Sequence, residues 1–179
     1  SATGIAYGSN INEICVFCHT PHDADTSVAK APLWNRGTVD AAGALYVGTD
    51  LNAVDHGYTL DNVNATDAPL CLSCHDGASL SDPLVNPPNS GGDGDSLSNI
   101  TNSNALIGTD LSDDHPIGFN YSGVFTDDGE LVANAGGLPL FNDKMWCSSC
   151  HDVHDNSKGT PFLQDTNVAS ALCLTCHVK

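Results

Sequence analysis

One five-residue pattern, repeated four times, limits what this chain can fold into. The copies are Cys15-Val16-Phe17-Cys18-His19, Cys71-Leu72-Ser73-Cys74-His75, Cys147-Ser148-Ser149-Cys150-His151 and Cys173-Leu174-Thr175-Cys176-His177. C-x-x-C-H is the attachment signature of c-type haem. Two thiols three residues apart on a helical turn point the same way, so both can form thioethers to one porphyrin edge. The histidine that follows then lies under the ring and offers its imidazole to iron. All eight cysteines fall into these pairs, and histidine follows every pair. With 8 histidines in 179 residues, chance would produce that about four times in a million. The competing readings are a pair of zinc ribbons or a disulfide framework, and neither calls for the regular histidine.

The other histidines carry a second argument. His19, His75, His151 and His177 are proximal; His22, His56, His115 and His154 remain. Met145 is the only methionine, so a set of His/Met haems is ruled out. Four spare imidazoles match four distal positions, which predicts four haem c groups with bis-histidine ligation. Both axial positions are then filled, leaving no open site for substrate. That favours electron transfer over bond-making chemistry, a carrier rather than an enzyme.

Length and composition fit a wrapper around cofactors. The 179 residues suit one domain, 1–179. Only 15% are charged, and Gly, Pro, Asn, Asp and Ser are frequent. Such a chain buries little core from side chains alone. The expected fold is mostly irregular coil, with short α-helices at the haem motifs and the haem chain as core. The net charge of −17, with five Lys plus Arg, argues against nucleic acid or an anionic membrane surface as partner. Haem attachment to C-x-x-C-H takes place outside the cytoplasm, so an exported protein that has lost a leader is expected. No apolar run is long enough to span a membrane.

Along the chain, Asn10 is expected to cap a first short helix, with Glu13 three residues on. His22 lies three residues past His19 and cannot reach the far face of its own haem; if it ligates, it bridges to another. His151-Asp152-Val153-His154 repeats that arrangement. Residues 23–66 read as loop, with a short hairpin around Leu45–Val47. Trp34 is expected to pack on a porphyrin, and Arg36 either to meet a propionate or to lie on the surface. Thr66 or Asp67 would cap the helix into Cys71, and Gly77 would end it. Residues 78–105 read as an irregular excursion, in which Asp93 and Asp95 lack EF-hand spacing. Pro116 holds His115 out of helix and fixes where its ring points. Phe119, Tyr121 and Phe125 alternate, as in a short strand or as ring-packing side chains. Asn142 would cap the helix into Cys147, with Trp146 beside the third haem, and Asp165, Thr166 or Asn167 would start the last helix. The short gap between the last two motifs predicts that their haems are neighbours. Three N-x-[ST] triplets, at Asn64, Asn99 and Asn120, carry little weight in an Asn-rich chain.

Cys15–His22 with Ala31–Arg36, Asp114–Phe119 and Cys147–His154 together resemble the extracellular multihaem cytochromes that polymerise into conductive filaments, the OmcS/OmcE type. The four-haem count is similar to the OmcE-like tetrahaem branch. That resemblance implies a self-partnered, head-to-tail homopolymer with haems in near contact through every subunit. It implies that His22 ligates a haem of the adjacent subunit, and that extracellular acceptors or other redox partners complete the path. A head-to-tail contact that does not close gives an open helical filament. Two other readings keep the same motifs. A monomeric periplasmic tetrahaem shuttle would use His22 internally. A multihaem reductase would need an open iron and acid–base groups, which the histidine count opposes.

Overall fold

The computed structural model describes residues 13–26, 28, 31–88, 98–102 and 104–178. Among them there is no β-strand, only isolated bridges, and the helices are short: α1 (Leu60–Asn64), α2 (Ala68–His75), α3 (Tyr121–Asp127), α4 (Cys147–Cys150) and α5 (Ala171–Cys176). Single 3₁₀ turns supplement them, including Ile14–Phe17 and Asn52–His56. The expected coil with short helices at the motifs is therefore the fold. Isolated helices of this length are unstable in water, so packing and side-chain caps hold them.

The chain divides into two compact units, each assembled from two separated stretches: Ser1–Gly43 with Pro69–Leu111, and Ala44–Ala68 with Ser112–Lys179. In the first unit, Asn35 is fully buried and ties three segments together. Its Nδ2 donates to the carbonyls of Val16 at 2.6 Å and Asn86 at 2.8 Å, and its Oδ1 accepts from the Asn86 N–H at 2.8 Å. One side chain thereby satisfies backbone groups that no ladder reaches. Trp34, Leu72, Leu80, Leu84 and Leu111 form the apolar part of this unit's interior.

In the second unit, Thr59 caps α1 by accepting from the Asn62 N–H. Val63 on that helix is fully buried. Gly118 passes so close that a Cβ there would meet the Val63 nitrogen at 2.9 Å, and its φ is +85°; only glycine fits. Helix α3 packs against the 52–56 turn, and both α3 and α5 pack against the 133–137 turn.

Several local expectations are corrected. Phe119–Phe125 is not a strand: Asn120 accepts from the Gly123 N–H at 2.9 Å and starts α3, which buries Tyr121 and Val124 at helical spacing. Phe119 and Tyr121 stack on each other at 6.5 Å. Leu45–Val47 forms no strand or hairpin; only a single bridge falls at Leu45. Asn142 does not cap α4; it and Asp143 take left-handed backbone in a turn four residues earlier. Asn10, Asp93 and Asp95 lie outside the described residues. No helix among those described is long and apolar enough to cross a membrane.

Candidate haem-iron sites

Each motif occupies about one helical turn. The His19, His151 and His177 N–H groups donate to the carbonyls of Cys15, Cys147 and Cys173 at 2.8, 3.0 and 3.0 Å, and the second motif lies inside α2. The turns start in different ways. Thr66 Oγ1 accepts from the Ala68 N–H at 3.1 Å and opens α2. Asp67, expected at the same helix, instead caps α4: its two carboxylate oxygens accept from the Cys147 and Ser148 N–H groups, each at 2.9 Å. A carboxylate at a helix start satisfies orphan donors and suits the positive end of the peptide dipoles. Thr166 Oγ1 accepts from Val168 N–H, on the approach to α5.

Three of the four motif histidines share one feature. His19 Nδ1 donates to the Pro32 carbonyl at 2.7 Å, His75 Nδ1 to Ala105 at 2.7 Å and His151 Nδ1 to Pro161 at 3.3 Å. A carbonyl only accepts, so Nδ1 carries the proton and the Nε2 lone pair is left for a metal. His115 repeats this arrangement, donating from Nδ1 to the Pro116 carbonyl at 2.9 Å.

His115 and His177 are brought together: their ring centroids lie 6.3 Å apart and their planes cross at 71°. A metal–nitrogen bond of about 2 Å on each side, plus the short distance from each nitrogen to its ring centre, spans that gap. Desolvation lowers the pKa of His115; the Pro116 carbonyl opposes this and His177 adds to it. A neutral ring is the form that binds metal.

His56 is placed differently. Its Nε2 is 2.7 Å from Asp127 Oδ2, and its Nδ1 lies so close to Gly123 that no other residue would fit there. Ligation through Nε2 requires the Asp127 bond to break. His22 and His154 are exposed. The His22 carbonyl accepts from Thr20 Oγ1 at 3.0 Å and Asn86 Nδ2 at 2.6 Å. A cleft of about 350 Å³ beside it is lined by Cys15, His19 and His22, among others.

None of the eight cysteines is in a disulfide. Among the described residues no three His, Cys, Asp or Glu converge as metal ligands, whereas a zinc ribbon needs four in one tetrahedron. Cysteine pairs one turn apart, none in a disulfide, and motif imidazoles whose Nδ1 is taken by a carbonyl fit covalent haem. Within each unit the motifs approach in pairs. Burial pushes the Cys18 thiol up to about 11, and Cys74, with Cys15 and Cys71, adds to the rise while Arg36 opposes it. Burial likewise raises Cys150, with Cys176 and Cys173 adding to it. The thiols of the third and fourth motifs lie within electrostatic reach of one another. The approach of the first and second, and the roles of Asp67 and Asp127, carry no local sequence signal.

Trp34 meets His19 edge-on at 6.3 Å between ring centres, and Trp146 stacks on Phe141 at 4.5 Å. Arg36 is buried rather than on the surface.

Residues 139–179 match the family described as the doubled CXXCH motif, Paired_CXXCH_1. A search of curated proteins finds no match. The matched stretch contains the third and fourth motifs, and the doubled motif indicates a multihaem c-type cytochrome, an electron carrier rather than an enzyme.

Proposed function

We propose that this chain carries electrons through four covalently attached haem c groups, each held between two imidazoles, as a subunit of a head-to-tail extracellular filament. The observation that carries the ligation is the His115–His177 pair, two imidazoles at the separation a shared iron needs. When bound, each haem iron passes between ferric and ferrous and so takes up or releases one electron.

The chain's own residues set the conditions for that transfer. Eight cysteines tether the rings. His19, His75, His151 and His177 supply proximal nitrogens, and the carbonyls of Pro32, Ala105 and Pro161 orient three of them. His115 is the distal partner of His177. His22, His56 and His154 take the remaining distal positions, His56 by exchanging Asp127 for iron. With both faces of every ring filled, the protein fixes spacing and orientation rather than admitting a substrate.

The filament reading rests on His22. It is exposed, it lies one turn past His19 where it cannot serve its own haem, and it borders the cleft at the first motif. An imidazole donated across a subunit boundary would pin each junction with a coordination bond. Electron microscopy of purified, haem-loaded protein tests this. Filaments are expected; uniform monomers with four low-spin haems would leave a single-chain shuttle in their place.

A further inference from the structure

We propose that Arg36 is a fixed positive charge that raises the reduction potentials of the haems carried by the first two motifs. This rests on the haem reading above. Arg36 is the chain's one arginine, and it is buried, with 2% of its surface exposed. Its Nη1 approaches Cys74 Sγ at 3.4 Å. Its Nη2 donates to the carbonyls of Ser79 at 2.8 Å and Leu80 at 3.2 Å. Among the described residues no carboxylate lies within ion-pair distance of the guanidinium.

A buried guanidinium normally has an anion beside it, because desolvating a charge without compensation is costly. Here the compensation comes from carbonyl dipoles and a sulfur, and the net positive charge remains. Asp76, the carboxylate nearest in this network, accepts from Ser79 N–H and Oγ rather than pairing with Arg36. The position matters as well. Arg36 sits where the first two motifs meet, beside Cys74 and within electrostatic reach of Cys18. A haem tethered through Cys74 would meet the guanidinium on its thioether side.

The sign follows from charge. One-electron reduction, Fe(III) plus an electron to Fe(II), removes one positive charge from a ring flanked by neutral imidazoles. A nearby cation disfavours the ferric state and so favours reduction. Water is excluded from Arg36, so screening by solvent and salt is weak. The first two haems become the preferred resting places for an electron supplied by a donor such as dithionite.

Spectroelectrochemical titration of haem-loaded protein tests this with Arg36→Gln and Arg36→Lys. The glutamine variant is expected to keep four low-spin haems while one or two midpoints fall by at least a tenfold change in equilibrium, 59 mV for one electron. The lysine variant keeps a charge but cannot hold the same fork, so a smaller fall in the same direction is expected. Both falls should persist in high salt. Should the glutamine variant lose haem, Arg36→Met, neutral and of similar length, decides in its place: lowered midpoints support the inference, and wild-type midpoints overturn it. Midpoints that match wild type in both variants, or falls that vanish in salt, also overturn it. A wild-type protein without covalent haem would instead remove the underlying reading.

Discussion

The imidazole of His115 lies 6.3 Å from that of His177, ring centre to ring centre, although 62 positions separate them in the chain (177 − 115). Pro116 and Gly118 make this possible. The Pro116 carbonyl takes the Nδ1 proton, and Gly118 allows the strand of coil after it to pass against Val63. His115→Ala is expected to convert one haem in four from low to high spin, as read by electronic absorption and electron paramagnetic resonance. A spectrum that stays fully low-spin would remove His115 from the iron.

His56 separates ligation from ordinary hydrogen bonding. Its Nε2 rests on Asp127, whose side chain is about half exposed and so can be released. His56→Ala is expected to yield one high-spin haem, whereas Asp127→Ala should leave every haem low-spin. If His56→Ala proves spectroscopically silent, its bond to Asp127 is its whole role.

Asp67 offers a stability test that removes no iron ligand. Both of its oxygens hold the first N–H groups of α4, in a buried setting. Asp67→Ala should destabilise the haem-loaded protein by about 2 kcal/mol, measured by denaturant unfolding. Asp67→Asn keeps one acceptor and should lose roughly half of that. An unchanged midpoint in the alanine variant would show the cap to be dispensable.

His22 is expected to matter for assembly and not for folding. His22→Ala should retain four covalent haems, give monomers by electron microscopy, and show one haem high-spin for want of its donated ligand. Filaments of normal length from this variant would take His22 out of the junction.

Much of this was legible because haem attachment is a local chemical code. Cys15, Cys18 and His19 announce their role through spacing alone, and so do the other three sets. The short helices, and the proximity of the last two motifs, follow from the same spacing. What was not legible depends on residues far apart in the chain. Asp67 reads as a cap for the helix next to it, since capping is usually local; only the fold shows it serving α4, eighty residues on. Tyr121 and Phe125 read as alternation because two aromatic positions cannot reveal that Asn120 starts a helix. Arg36 had two plausible surroundings, a propionate or solvent, and it is buried away from solvent. Its pocket is built by Cys74, Ser79 and Leu80, which no window around residue 36 contains.

The two compact units are interleaved along the chain, and this sets an order in which they can be completed during synthesis. A ribosome that has delivered residues as far as Leu111 has supplied every piece of the first unit, while 44–68 still waits for its partners. The second unit closes only when the last stretch arrives, bringing His151 and His177 with it. Nested truncations should therefore behave asymmetrically: stopping near 111 spares the surroundings of His19 and His75, whereas stopping at 68 leaves neither unit whole.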